Sequence, residues 1–175
     1  MIPSFTQRVH ARHAAWSRLS SRSMLRLGVI GDTQGRYKVA DLMAKVAPHF
    51  EGVDEVWHAG DWQDPTVLDR LAEIAPVTVV NGNAPDDPRY PERVVRELEG
   101  LKLGMVHRPP RPGDEWAATL DICIHGHTHR WRDEMLGRTR FINVSTPTAA
   151  GFSSDRTVGL LELDSGSAKL TRVVL

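Results

Sequence analysis

His127 and His129 stand two residues apart at the end of the run Ile122-Cys123-Ile124-His125-Gly126-His127-Thr128-His129. In an extended chain alternate side chains point the same way, so both imidazoles can converge on one point. Neutral imidazole is the commonest protein ligand for first-row divalent metals. Gly126 lets the backbone bend there at no steric cost. A solvated hairpin end would carry the same residues, so the weight falls on what else the chain places beside them.

Further donors follow one rule, each standing just after a short apolar run. Asp32 and Gln34 follow Leu25–Ile30, Asp61 follows Val53–Trp57, Asn83 follows Pro76–Val80, and His107 ends the run Lys102–Val106. In open α/β sheets, ligand sites gather at the carboxyl ends of strands. Seven oxygen and nitrogen donors on one edge are too many for a tetrahedral structural zinc, and no thiolate set accompanies them. They suit two divalent ions about 3.5–4 Å apart, bridged by a carboxylate.

The elements that must position these donors alternate in the first half. Strands are expected over Leu25–Ile30, Val53–Trp57 and Pro76–Val80. Helices are expected between them over Tyr37–Pro48 and Pro65–Ile74, the first from the helical spacing of Val39, Leu42, Met43 and Val46. Pro65 suits a first helical turn, where a missing N–H costs nothing. Such alternation argues for parallel βα units. The second half is richer in strands: Arg93–Glu97, Leu101–Val106, Arg130–Leu136, Thr139–Val144, Val158–Leu163 and Ala168–Val174, with a helical turn over Glu115–Leu120. Gly137-Arg138 and Asp164-Ser165-Gly166-Ser167 read as hairpin turns. The expected fold is α/β, a two-sheet sandwich flanked by helices.

The 175 residues are enough for one domain with its own core. Lys plus Arg and Asp plus Glu both number 22, so no global field recruits nucleic acid or a membrane. No apolar run approaches the ~20 residues needed to cross a bilayer. Cys123, the single cysteine, cannot form an internal disulfide and reads as a small core residue, compatible with a reducing compartment. Residues 1–24 differ from the rest. Arg8, Arg12, Arg18 and Arg22 occur there with no acidic residue, and the segment lacks the apolar core of a secretory signal. It is expected to be a basic extension outside the catalytic design, with the domain running over 25–175 and a cytoplasmic location.

Taken together, Asp32-Thr33-Gln34, Gly60-Asp61, Gly82-Asn83, His107 and Gly126-His127-Thr128-His129 resemble the calcineurin-like metallophosphoesterase superfamily, and most of all its small single-domain phosphodiesterase branch, which includes the retromer subunit of the same fold. The resemblance covers about Leu25 to Leu175 and implies an α-β-β-α sandwich. It implies Asp32, Gln34 and His129 at a first metal, Asp61 bridging both ions, and Asn83, His107 and His127 at the second. It also implies a metal-bridging hydroxide attacking phosphorus in line, with no protein nucleophile. The cofactors implied are two divalent ions, manganese first, with iron, zinc, nickel or cobalt also suited to such ligands. The resemblance also implies a homodimer or higher homo-oligomer.

Three departures stand out. Gln34 replaces the family's His or Asn, and its longer side chain must fold back to ligate. Ala84 replaces the residue credited with protonating the leaving group, with Asp86 displaced by one position and Pro85 stiffening the loop. Arg108 follows His107 where the family has Gly-His. Asn83 and Arg108 are candidate phosphate contacts, although an exposed loop arginine is the commoner outcome. The expected substrate is a small phosphodiester or nucleotide-like ester, hydrolysed poorly when its leaving group is basic. A weakly active or inactive protein-binding scaffold of the same fold is the alternative that Gln34 and Ala84 motivate.

Other polar residues have plainer readings. His58 is expected to pack beside the Gly-Asp turn, and His125 to stay outside the ligand set. Trp62 is expected in the core or at the rim, or stacked on a substrate ring. Asn81 and Asp87 suit local loop hydrogen bonds. Asn143, Ser145 and Thr146 resemble the family's closing segment and are expected to steady the histidine loop. Two other hydrolase classes fail on residues. His127-Thr128-His129 leads into Arg130-Trp131-Arg132, not the Asp-His of metallo-β-lactamases, and the first strand ends in Asp-Thr-Gln, not the His-x-His of amidohydrolases.

Overall fold

A computed structural model describes residues 24–148 and 156–175. The basic extension expected over 1–24 therefore falls, but for Met24, outside the described residues. In chain order the first elements are β1 (Leu25–Ile30), α1 (Val39–Phe50), β2 (Glu55–His58), α2 (Thr66–Ile74) and β3 (Val77–Val79). Then come β4 (Arg93–Leu98), β5 (Leu101–Val106), α3 (Glu115–Ala118), β6 (Ile122–His125), β7 (Trp131–Leu136) and β8 (Thr139–Val144). The chain closes with β9 (Thr157–Asp164) and β10 (Ser167–Val174).

These strands form two five-stranded mixed sheets, ordered β10-β9-β1-β2-β3 and β4-β5-β6-β8-β7. In the first, β1, β2 and β3 run parallel while β9 pairs antiparallel with β1. In the second, β5, β6 and β8 run parallel, with β4 and β7 antiparallel at the two edges. The arrangement is the expected helix-flanked sandwich.

Strand periodicity decides which residue meets which layer. Along β1, Leu25, Leu27 and Val29 point between the sheets, where they join Trp57, Leu103, Met105, Ile122, Ile124, Ile142, Val144, Leu161 and Leu163. Ile30 points the other way, with Val56, Val77, Val79 and Val158, into the layer covered by α1 and α2. Cys123 and Phe141 face outward from the second sheet, under Ala117 and Leu120. Both faces of β6 and, apart from Arg26, of β1 are thus buried, which is why each reads as a mainly apolar run. Each large side chain fully buried between the sheets contributes about 1.5–3 kcal/mol.

Some boundaries differ from those expected. Helix α1 starts at Val39 and continues past Pro48 to Phe50. Pro48 removes one backbone donor, but the added turn drives Phe50 to full burial. Phe50 lies against Gly28, where a Cβ would come within 3.0 Å of its ring. Strand β2 starts two residues late, at Glu55, because Asp54 turns aside to accept a hydrogen bond from the Arg26 N–H at 2.8 Å. Helix α3 is only four residues long. Among the described residues no helix is long and apolar enough to cross a membrane.

Candidate metal centre

Every donor sits on a turn directly after a strand, and both sheets contribute. Asp32 and Gln34 follow β1, Asp61 follows β2 and Asn83 follows β3, all in the first sheet. His107 follows β5, and His127 and His129 follow β6, in the second. Asp32, Asp61 and His107 are buried, and each offers a ligand atom within 4.8 Å of the other two.

The remaining donors fall into two groups around these three. On one side, His129 Nε2 lies 3.4 Å from Asp32 Oδ1 and 3.2 Å from Gln34 Nε2. On the other, Asn83 Oδ1 is 2.9 Å from His107 Nε2 and 3.1 Å from His127 Nδ1. His107 Nε2 is also 3.2 Å from Asp61 Oδ1. The structure brings all seven sequence-selected residues together.

Four of them hold backbone conformations that side chains rarely adopt. Asp32, Asp61, His127 and His129 have φ of 52°, 57°, 70° and 54°. Such residues persist only where their surroundings over-determine them, and they concentrate at functional sites. The surroundings here are hydrogen bonds. The His127 N–H donates to both Asp32 carboxylate oxygens at 3.0 Å. The N–H groups of Asn83 and Ala84 donate to Asp61 Oδ1 at 2.6 and 2.9 Å. Only glycine fits at position 82, since a Cβ there would lie 2.3 Å from both the Asp61 amide and its carboxylate.

Charge is balanced by the same contacts. Burial alone would raise the Asp61 carboxyl, but the His107 hydrogen bond and charge, with the Asn83 and Ala84 N–H groups, outweigh it and hold the carboxyl below its usual range. Burial likewise depresses His107, yet its hydrogen bonds to Asp61 and the Ala59 carbonyl, with the charges of Asp61 and Asp32, carry it above the ordinary value. Both shifts reflect carboxylate charge gathered at the cluster, which a bound cation would also neutralise. His127 is lowered by burial, then by the charges of His107 and Arg108. Gln34 Oε1 is buried and, among the described residues, has no hydrogen-bond partner. An unpaired buried acceptor costs about 1–3 kcal/mol, and a cation beside Asp32 and His129 would relieve it. The residues fit a metal centre.

The family profile of the calcineurin-like phosphoesterase superfamily domain matches residues 25–166. The chain belongs to that superfamily. Two curated archaeal relatives are both named probable metallophosphoesterases. The one from Methanocaldococcus jannaschii is 34% identical over 113 residues, 59% of this chain and 58% of that protein. The one from Methanothermobacter thermautotrophicus is 30% identical over 150 residues, 79% of this chain and 86% of that protein. The chain thus spans a little over half of the first relative and most of the second. Among solved structures, a novel archaeal phosphodiesterase is 22% identical with a TM-score of 0.69, covering 86% of this chain and all of that one. Vacuolar protein sorting 29 from Cryptosporidium parvum is 21% identical with a TM-score of 0.69, covering 88% of this chain and 99% of that one. At these identities the likeness is one of fold.

As expected for this superfamily, the residues behind the donors are as specific as the donors. The Gly60 N–H donates to His58 Nδ1 at 3.2 Å, so the ring proton sits on Nε2 and donates to Thr33 Oγ1 at 3.0 Å. Burial, then the charge of His107, depresses His58 to a pKa of about 3. A neutral imidazole therefore ties the Asp32 turn to the Asp61 turn. His125 also stays outside the ligand set. Its Nε2 accepts from Arg132 Nη1 at 3.2 Å, and its Nδ1–H donates to the Gly126 carbonyl at 3.1 Å.

The closing segment steadies the histidine loop. Asn143 Nδ2 donates to the Gly126 carbonyl at 2.9 Å and to Thr128 Oγ1 at 3.0 Å, while Ser145 Oγ donates to the His129 carbonyl at 2.8 Å. Thr146 Oγ1 donates to the Asp32 carbonyl at 2.8 Å. Thr33 and Arg132 were not singled out in the sequence. Thr33 carries no signal of its own there, and Arg132 is one of several arginines around the start of β7. Trp62 is 1% exposed and meets Tyr90 edge-on at 4.7 Å, so it belongs to the core and offers no face to a substrate ring. Asn81 and Asp87 make the local loop bonds expected of them, the Asp87 N–H donating to Asn81 Oδ1 at 2.8 Å.

Beside Asn83 and His107 a cleft of about 470 Å³ opens, walled also by Arg93, Arg108, Arg111 and Asp114. Arg108 is exposed. Ala84 stands next to Asp61 with its N–H committed to that carboxylate and a methyl side chain that holds no proton to give.

Proposed function

We propose that this superfamily member is a two-cation phosphodiesterase. The observation that supports the reading most is the trio Asp32, Asp61 and His107, buried with ligand atoms within 4.8 Å of one another and flanked by a donor group on each side. In this reading Asp32, Gln34 and His129 hold one divalent ion, Asn83, His107 and His127 hold the other, and Asp61 is shared. Such a pair supplies an acidified water and neutralises charge on the phosphoryl oxygens. Manganese is the first candidate, and iron, zinc, nickel and cobalt also suit these ligands.

The protein's own part is placement. Backbone N–H groups fix the Asp32 and Asp61 carboxylates. Asn83 lines the cleft where the reacting phosphoryl group would lie and offers it an amide, while Arg108, on the same wall, offers a guanidinium to a phosphate. Ala84 offers no proton, so esters with acidic leaving groups are favoured over alkyl esters. The substrate is a small phosphodiester or nucleotide-like ester. A cytoplasmic location and a homo-oligomeric state accompany the reading.

The test is turnover of bis(p-nitrophenyl) phosphate with manganese. Activity is expected with wild type and not with Asp61→Asn. No turnover with any of the five metals would refute it. The second reading, a binding scaffold, draws on Ala84, Gln34 and the structural likeness to vacuolar protein sorting 29. It predicts full stability in chelator and no turnover with any ion.

A further inference from the structure

The wall of the cleft carries two arginines that no acid of the wall is paired with. Arg108 directly follows His107, and Arg111 stands three residues on, in Arg108-Pro109-Pro110-Arg111-Pro112. Both line the same cleft as Asn83 and His107. Three prolines fix φ at their own positions, and each biases the residue before it toward extended backbone. The two arginines are therefore presented on a restrained segment. Among the described residues neither guanidinium has an ion-pair partner.

The acids of the wall are mostly committed. Asp114 Oδ1 accepts from the Ala117 N–H at 3.0 Å, and its Oδ2 lies 4.0 Å from Arg93 Nη2. Asp86 Oδ1 accepts from Asn81 Nδ2 at 2.8 Å. With Glu92 the wall has three acids and three arginines, but among the described residues none of the acids is paired with Arg108 or Arg111. Planar guanidinium forks match phosphate oxygens in a bidentate way.

We propose that Arg108 and Arg111 form a subsite for a second phosphate, and that the substrate is a phosphoanhydride joining two phosphate esters. The assignment rests on the phosphoesterase reading above. Ala84 chooses between an anhydride and an alkyl ester carrying a remote phosphate. In an anhydride, one P–O bond forms to the oxygen of water and the bridging P–O bond breaks. The electron pair leaves on an oxygen of the second phosphate, which departs as a stable anion without a proton from the protein. The protons of water end on the two phosphate monoester products or in solvent. An alkoxide leaving group would need the proton that Ala84 lacks.

Two measurements test this on the full chain. In the first, inorganic pyrophosphate and orthophosphate are titrated calorimetrically into chelator-treated protein. Wild type is expected to prefer pyrophosphate at least tenfold, and the double variant Arg108→Ala, Arg111→Ala to lose that preference. Equal binding of the two anions, or a preference that survives in the variant, overturns the subsite. In the second, manganese-loaded protein is given a dinucleoside pyrophosphate, bis(p-nitrophenyl) phosphate and an alkyl diester bearing a distal phosphate. The ratio of kcat/KM for the pyrophosphate to that for the aryl diester is expected to fall at least tenfold in the variant. An unchanged ratio, or faster hydrolysis of the alkyl diester, overturns the anhydride assignment. If no substrate turns over, the catalytic reading and the substrate assignment fall together, while the titration by itself decides the subsite.

Discussion

The two sheets bring different chemistry to the shared edge and hold it by different means. Turns of the first sheet carry the oxygen donors Asp32, Gln34, Asp61 and Asn83, whereas turns of the second carry the imidazoles of His107, His127 and His129. The two carboxylates are buried, whereas His127 and His129 are partly exposed, His129 at 13%. Backbone N–H groups clamp the carboxylates, and those N–H groups belong to neighbouring ligand turns. The imidazole loop is held mainly by side chains of β8 and the turn after it, Asn143 and Ser145. The oxygen half is thus built into the fold, while the imidazole half depends on a few replaceable polar residues. Changes in the first half should cost chemistry outright, and changes in the second should weaken metal binding by degrees.

Asp61→Asn is the strongest test. The amide keeps an oxygen for the Asn83 and Ala84 N–H groups but loses the charge shared by both donor groups. Manganese-dependent turnover of bis(p-nitrophenyl) phosphate should drop by about 10²–10³-fold or more, with the melting temperature in chelator nearly unchanged. A variant that keeps a tenth of wild-type activity would show that the oxygen half is not the centre of the site.

Asn143→Ala should cost less. It leaves every donor in place and removes the clamp on Gly126 and Thr128. Loss of such a supporting partner typically costs 10–100-fold in metal affinity, read here by manganese titration monitored by electron paramagnetic resonance. If affinity falls as far as in an Asp32→Asn control, the two halves are equally rigid and the contrast fails. Gln34→Ala comes next, with about a tenfold loss expected. It removes a neutral donor whose Oε1 has no hydrogen-bond partner among the described residues, so the fold should gain slightly in chelator while the metal-loaded protein loses.

Much of this was legible in the sequence because period and position carry the same information. The run Leu25–Ile30 is apolar but for Arg26, which argues for a central strand, and a donor after a central strand lies at a sheet edge. The second half was readable as strands, but its order in the sheet was not. Nothing in the letters says that β8 inserts between β6 and β7, the placement that brings Asn143 under the histidine loop. The left-handed backbone at Asp32, Asp61, His127 and His129 was equally hidden. Local propensity disfavours it, and only contacts between turns far apart in sequence enforce it. Helix α1 outran its expected end because burial of Phe50 against Gly28 outweighs the donor lost at Pro48.

His58 gives the smallest effect and the finest probe of the oxygen half, since it links the Asp32 and Asp61 turns only in its neutral form. Buried beside His107, it takes up a proton near pH 3 in the folded chain, against an ordinary value of 6.5. Between those values the unfolded chain binds more protons at this residue, so its contribution to stability is complete above pH 6.5 and is lost as the pH falls toward 3. From pH 6.5 to 5.5 that loss is about 1 kcal/mol, measurable by urea denaturation in chelator. His125, held at about 4 by burial, adds a slope of the same sign, while His107, raised in the folded chain, opposes both. His58→Gln removes only the first of these three contributions. The expected outcome is therefore a shallower fall in stability between pH 6.5 and 5.5, by about 1 kcal/mol relative to wild type. Were the two curves parallel across that interval, the imidazole would already be charged or solvated in the folded chain, and the link between the carboxylate turns would have to come from elsewhere.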